Sequence, residues 1–376
     1  MYSNLFSTFQ IHGLTLKNRL TMAPLFLGYA NGDGTVGPML LDHYRLMAKS
    51  GAAMVVVENA SIDYAQGSGS PRTIRADTDE NLDGLKDLAD VIKKEDALAC
   101  LQINHAGRFA TAASDPVAPS AVETFGRTPK ALATDEIHRI QDRFAEAALR
   151  VKEAGFDLVE LHGGTGYLLS QFVSPRTNKR TDEYGGPLEN RMKFPLEVLE
   201  KVKSAVGDFP VGYRFLADEW LPDGLHLEES RPFAKALAKS GIAYISMMGG
   251  TYESFFLPEI VARSNQEGYM IDLAEAVKSE VDVPVVAAGR IATGEIAEKA
   301  LTDGKTDLIG LARVLWADPE WPFKVREGRE DEIIHCDPEC DDACMQMVMK
   351  GKPAFCVRWP AEKMKTWKAK FESPGG

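Results

Sequence analysis

Cysteine is scarce in this sequence, and the scarcity is uneven. Of five cysteines in 376 residues, four fall in HCDPECDDACMQMVMKGKPAFC (335–356), and only Cys100 lies elsewhere. Other features are missing too. No apolar run approaches the roughly 20 residues that a membrane-spanning helix needs. The opening MYSNLFSTFQ lacks the basic-then-apolar order of a secretory signal. Positive charge is in deficit, with 43 Lys and Arg against 55 Asp and Glu and a net charge of −12. That balance excludes a broad nucleic-acid-binding or acidic-membrane-binding surface. There is no clear internal repeat, and no low-complexity linker before about residue 330. Together these absences predict a cytoplasmic protein without a membrane span or a nucleic-acid partner, in a compartment where structural disulfides are rare. A tight cysteine group there points to metal or redox chemistry.

What is present is an alternation. Eight short apolar runs recur: RLTMAPL (19–25), AAMVVVENA (52–60), LACLQINHAG (98–107), DLVELHG (157–163), PVGYRFLA (210–217), AYISMMGG (243–250), PVVAAGRI (284–291) and DLIGLARVL (307–315). Nearly continuous apolar runs suit parallel strands buried on both faces. Amphipathic stretches separate them, such as IHRIQDRFAEAALRVKEAG (137–155), whose Gly155 fits a helix C-cap. Strand followed by helix, eight times, predicts an α/β fold of the (β/α)8 TIM-barrel type rather than an open sheet. The expected organisation is a barrel over residues 1–330 and a cysteine-rich segment with a tail over 331–376.

In such barrels the chemistry sits where strands end. Pro24, Asn59, Gln102, His105, His162, Arg214, Gly249, Gly289, Arg290 and Arg313 all fall there, and three long loops (106–134, 163–188, 249–270) follow strand ends. The last two ends read GRI (289–291) and LAR (311–313), each before a helical stretch, a pattern that suits phosphate binding as well as an ordinary turn. After the fourth run comes LHGGTGYLLSQFVSPRTNKRTDEYGGPLENR (161–191), with His162 able to hold an oxyanion or carbonyl and Tyr167 able to deliver a proton.

The combination of NRLTMAPL, LQINHAGR, ELHGGTGYLLSQFVSPRTNKRTDEYGG, GYRF and the GRI/IGLAR pair resembles the Old Yellow Enzyme family of FMN-dependent oxidoreductases, over residues from about 5 to 325. The resemblance implies FMN as cofactor. Ala23, Pro24 and Leu25 would lie along the flavin, with Ala60 near its ring. Gln102 would meet the pyrimidine edge and Arg214 the N1/C2=O side. Gly289, Arg290, Ala312 and Arg313 would take the phosphate. Tyr167 would protonate the substrate α-carbon while hydride passes from flavin N5 to the β-carbon, with His162 gripping the substrate oxygen.

Two positions depart from the family pattern. Thr165 stands where a second His or Asn usually completes the oxygen clamp, and Phe26 stands where one subclass carries a redox-tuning cysteine. The cysteines are similar to those of the larger branch that includes 2,4-dienoyl-CoA reductase and trimethylamine dehydrogenase, which carries a 4Fe-4S cluster after the barrel. The order here is C-x3-C-x3-C-x11-C; that branch has C-x2-C at the first gap. Cys336, Cys340, Cys344 and Cys356 would be the ligands, with a zinc site or no metal as the alternatives. The buried-strand Cys100 reads as a small core residue.

No G-x-G-x-x-G follows the cysteines, so no FAD domain is expected to feed the cluster. A separate electron-donor subunit or carrier, or NAD(P)H acting directly on FMN, is expected instead, and a homo-oligomer remains open. Two activities compete: reduction of an α,β-unsaturated carbonyl, such as an enoyl-CoA or dienoyl-CoA, and amine oxidation of the trimethylamine dehydrogenase type. Tyr167 beside His162 favours reduction. An electron-transfer subunit without its own substrate is the third reading.

Overall fold

The computed structural model describes residues 2–336, 338–340 and 342–372. Eight parallel strands close into a barrel: β1 (Leu20–Met22), β2 (Met54–Ser61), β3 (Leu98–Asn104), β4 (Leu158–Gly163), β5 (Val211–Asp218), β6 (Tyr244–Gly249), β7 (Val285–Ala287) and β8 (Leu308–Leu311). Neighbours pair in chain order, and β1 pairs with both β8 and β2, which closes the ring. β2 and β4 are buried at every position. Continuous apolar sequence is stable there because helices cover the outer face and side chains fill the inner one.

The helices show why the alternation forms. Thr134–Glu153 buries Ile137, Ile140, Phe144, Ala147, Ala148 and Val151 on one stripe. Asp135 and Glu136 sit in its first turn and Arg150 and Lys152 in its last, matching the helix dipole. The chain leaves it through Gly155 at φ +82°, a left-handed conformation that costs a glycine least.

Inside the barrel the layers differ in chemistry. Near the strand starts, Met54, Val56, Cys100, Leu158, Tyr244, Val286 and Leu308 form a separate apolar cluster. A hairpin of Phe9–Ile11 and Leu14–Leu16 adds Ile11 and Leu16 to it from below. One layer higher, the inward positions become polar: Gln102, Glu160, Arg214 and Ser246 are all buried. The apolar floor thus carries a polar layer facing the strand ends.

The three long loops carry short elements of their own, including helices Leu168–Val173 and Pro258–Ser264. Beyond residue 330, helices Ala343–Met349 and Ala361–Glu372 follow. This segment brings Ala354, Phe355, Cys356, Trp359 and Trp367 into the same buried cluster as the barrel's side chains. Ala354 N donates to Leu27 O at 2.9 Å, and Tyr29 Oη donates to Ala354 O at 2.7 Å. Trp359 Nε1 donates to Trp316 O at 3.1 Å, and Lys370 pairs with Asp42. Among the described residues no helix is long and apolar enough to cross a membrane.

Candidate active site at the strand ends

The β4 end is built around His162. Gly164 N donates to His162 Nδ1 at 3.2 Å, so Nδ1 is an acceptor and the ring proton lies on Nε2. Burial, and then the charge of Arg214, hold the His162 pKa well below its ordinary value, so the imidazole is neutral. It is a hydrogen-bond donor rather than a cation. The Tyr167 ring stands edge-on to it, with centroids 4.9 Å apart.

Tyr167 Oη lies 2.8 Å from Tyr252 Oη, across from the loop after β6. Burial and then Tyr252 push the Tyr167 pKa well above its ordinary value. The phenol therefore keeps its proton at neutral pH, the state that a proton donor must start from. Phe109 stands edge-on to both tyrosines, and Phe255 does so to Tyr252, giving an aromatic wall. Thr165, in the left-handed region at φ +59°, turns Oγ1 toward Met248 Sδ at 3.4 Å. Its hydroxyl is spent on sulfur, and His162 is left as the histidine of this turn.

Below this pair lies the polar layer. Gln102 Nε2 donates to Glu160 Oε1 at 2.7 Å, and Tyr244 Oη donates to Glu160 Oε2 at 2.8 Å. Arg214 Nη1 donates to Ser246 Oγ at 2.6 Å. Burial raises the Glu160 pKa, while Arg214, Tyr244 and Gln102 oppose the rise. Ala60 is buried in β2, opposite Ile103 of β3. Ala23 donates its N–H to Leu311 O at 3.0 Å, and Pro24 and Leu25 follow it half-buried along the rim.

Glu58, also on β2, is fully buried. It accepts from Leu27 N at 3.2 Å through Oε2 and leaves Oε1 without a partner among the described residues. Burial pushes its pKa up to about 8.

The β7 and β8 ends meet the C-terminal segment. The backbone N–H groups of Gly289, Arg290, Ala312 and Arg313 have no acceptor among the described residues. Arg290 Nε donates to Ser264 O at 2.8 Å and Nη1 to Cys336 O at 2.8 Å. Arg313 pairs with Asp342. Two guanidinium groups and free N–H donors make this corner fit a phosphate.

Cys336, Cys340 and Cys344 are half-buried, Cys356 is buried, and all are free thiols. Burial raises the Cys344 pKa to about 11; Arg313 opposes the rise, and Cys336 and Cys340 add to it. Cys356 is likewise raised by burial, with Cys336 and Cys340 contributing. The four thiols are thus near enough to feel one another. Among the described residues they do not form a group of three or more metal-binding side chains drawn together at ligand distance. The donor set, four sulfurs beside two arginines, fits a thiolate-bound metal cluster of net negative charge.

Glu160 is the functional candidate that residue patterns alone did not single out. The signal for Glu160 was available: a carboxylate two positions before His162 on a strand shares its inward face. Tyr252 becomes a partner of Tyr167 only through the folding of the loop after β6.

The model of the NADH:flavin oxidoreductase / NADH oxidase family matches residues 4–332. An NADH oxidase of Thermoanaerobacter brockii is 41% identical over 352 residues, covering 92% of this chain and 54% of that protein. A 2-naphthoyl-CoA reductase, solved in complex with 2-naphthoyl-CoA, superposes with a TM-score of 0.91 at 29% identity, covering 98% of this chain and 58% of that one. A histamine dehydrogenase from Rhizobium sp. 4-9 superposes with a TM-score of 0.84 at 31% identity, covering 96% of this chain and 52% of that one. The chain spans little more than half the length of each of these three proteins.

Proposed function

The chain belongs to the NADH:flavin oxidoreductase / NADH oxidase family, and from that premise we propose that it is an FMN-dependent oxidoreductase reducing the C=C bond of an α,β-unsaturated carbonyl compound. FMN, when bound, supplies hydride to the β-carbon. Gly289, Arg290, Ala312 and Arg313 would hold its phosphate. Gln102 and Arg214 would meet the pyrimidine edge, and Ala23, Pro24, Leu25 and Ala60 would line the ring.

The observation that carries the reading is the neutral His162 in ring contact with a protonated Tyr167. His162 Nε2–H donates to the substrate carbonyl oxygen and stabilises the charge that gathers there. Tyr167 Oη gives its proton to the α-carbon. Tyr252 Oη, in hydrogen-bond contact with Tyr167, is positioned to pass a proton to the resulting phenolate. The lack of a second imidazole or amide at Thr165 leaves the carbonyl with a single strong side-chain donor, which suits an already activated substrate such as a thioester. The 2-naphthoyl-CoA reductase likeness supports an acyl-CoA in that role.

Cys336, Cys340, Cys344 and Cys356 would hold a 4Fe-4S cluster, which would supply one-electron transfer to FMN. A partner subunit, a small carrier or NAD(P)H would be the source of electrons. A second reading, oxidation of an amine, draws on the histamine dehydrogenase likeness and on the aromatic wall of Phe109, Tyr252 and Phe255, a surface able to face a cation.

The test begins with composition. Protein prepared anaerobically with iron supplied should release FMN on acid precipitation and contain about four iron and four sulfide per chain. One zinc per chain and no iron would end the cluster assignment. Enoyl-CoA thioesters should then reoxidise the reduced flavin. Flavin reduction by amines, with no turnover of enoyl substrates, would transfer the assignment to the second reading.

A further inference from the structure

We infer that Glu160 is a positioning residue that fixes the hydrogen-bonding polarity of the polar layer beneath the flavin, so that Gln102 presents an acceptor and Arg214 a cation to the pyrimidine edge. The inference rests on the FMN reading above.

A glutamine amide has a donor end and an acceptor end of nearly equal size, and nothing intrinsic decides which one faces a ligand. At Gln102 the choice is made by Glu160. Both Glu160 oxygens accept, one from Gln102 Nε2 at 2.7 Å and the other from Tyr244 Oη at 2.8 Å. A flipped Gln102 would place its carbonyl oxygen against a carboxylate oxygen, two acceptors in a buried site, which forfeits a charge-assisted bond and leaves both groups unpaired. The Nε2 end is therefore committed to Glu160, and Gln102 Oε1 accepts no hydrogen bond among the described residues.

The arrangement around the carboxylate is built for this purpose. Register places Gln102, Glu160 and Gly212 side by side on β3, β4 and β5, with Tyr244 next on β6. Gly212 leaves the space that the Tyr244 ring fills, since a Cβ there would lie 2.3 Å from Tyr244 Cε1. Tyr244 Oη also lies 3.6 Å from Cys100 Sγ, on the apolar floor. Arg214, two positions beyond Gly212 on β5, adds its charge above Glu160 and is tethered by Ser246. The layer thus offers an acceptor beside a cation. That pattern is complementary to an imide N–H flanked by a carbonyl, as at the pyrimidine end of an isoalloxazine.

Glu160 also partly offsets Arg214. Reduction puts negative charge on the flavin near N1, so a carboxylate one layer below disfavours the reduced form. Its removal leaves Arg214 uncompensated and frees the Gln102 amide. Both changes act on the balance between oxidised and reduced flavin, whereas loss of mere packing would weaken the two forms alike.

The test is the flavin midpoint potential of Glu160→Gln measured by anaerobic spectroelectrochemistry on the whole chain. The variant should favour reduced over oxidised FMN by about tenfold more than the wild type, a rise of about 30 mV for a two-electron couple. Tyr244→Phe, which keeps the carboxylate and removes one of the two donors that offset its charge, should shift the potential the opposite way, downward and by less, and it serves if Glu160→Gln does not fold. Flavin bound at the wild-type potential in both variants, a potential moved downward in Glu160→Gln, or one moved upward in Tyr244→Phe would overturn the inference and leave the FMN reading standing. A wild-type protein that takes up no FMN would instead remove the reading itself, and the inference with it.

Discussion

Arg290 donates through Nη1 to the carbonyl oxygen of Cys336 at 2.8 Å, tying the strand end that follows β7 to the backbone of the first clustered cysteine. Arg313, after β8, makes the matching ion pair with Asp342. Each arginine proposed for the phosphate therefore also holds the cysteine segment. Arg290→Lys should disturb both sides, because an ammonium cannot reproduce the two directed donors that reach Ser264 O and Cys336 O. FMN affinity should fall by about tenfold, the scale of one charge-assisted bond, and Cys336 should react faster with a thiol reagent. Fluorescence titration and thiol kinetics read the two sides; wild-type behaviour in both would show that the contact carries neither.

Tyr167→Phe should slow the oxidation of reduced flavin by substrate by about 10²–10⁴-fold, the usual contribution of a positioned general acid. Flavin reduction should be nearly unchanged, since that half-reaction needs no proton from Tyr167. Tyr252→Phe, which removes the hydroxyl at 2.8 Å, should affect the same half-reaction more mildly. Stopped-flow measurement of the two half-reactions separates them, and an unchanged oxidative half-reaction in Tyr167→Phe would assign the proton to another donor.

Glu58 gives the fold a pH signature. Its carboxyl is raised from an ordinary 4.5 to about 8 by burial, so between those values the folded chain holds a proton that the unfolded chain has released. Stability from this group therefore falls as pH rises through that window, by up to about 1.4 kcal/mol per pH unit. The buried His43 and His105, lowered to about 3, act oppositely between pH 3 and 6.5. Subtracting the melting curves of Glu58→Gln from those of wild type isolates the carboxyl. The variant should gain stability over wild type from pH 5 to 8, and a flat difference would show that Glu58 does not titrate there.

Gly212→Ala should cost about 1–3 kcal/mol, the range for overpacking a filled interior, because its Cβ would collide with the Tyr244 ring. The ring is the one that holds Glu160 Oε2, so flavin affinity should fall along with the melting temperature. A stable variant with unaltered flavin binding would mean that the ring relocates freely.

The eight strands were legible because a parallel barrel buries both faces of every strand, and AAMVVVENA or DLVELHG can hardly be stable otherwise. The close of Thr134–Glu153 was legible in Gly155 for the same local reason. The hairpin at Phe9–Leu16 was not, since strands of three residues carry too little pattern to register and take their stability from the floor they complete. At the site, position alone left His162 and Tyr167 open and the family resemblance implied their roles, while the turning of Thr165 toward Met248 depends on a backbone conformation that no spacing encodes. Cysteine spacing displayed a group; how the four sulfurs are arranged depends on chain geometry beyond any count of residues between them.

The C-terminal segment crosses the line where β8 meets β1. It touches Trp316 after β8, Tyr29 after β1 and Asp42 on the first helix, Pro38–Ala48. The contacts to Tyr29 and Asp42 join residues 325 and 328 positions apart, among the longest separations in the chain. The segment is in effect a clasp over the barrel's own seam, and a clasp fastens last. Contacts of such sequence separation form only after the intervening chain is in order, so completion of the ring should be the slow step of folding. A chain halted short of Trp359 would lose the contacts to Trp316 and Asp42 and keep at this end of the clasp the bonds of Ala354 to Leu27 and Tyr29.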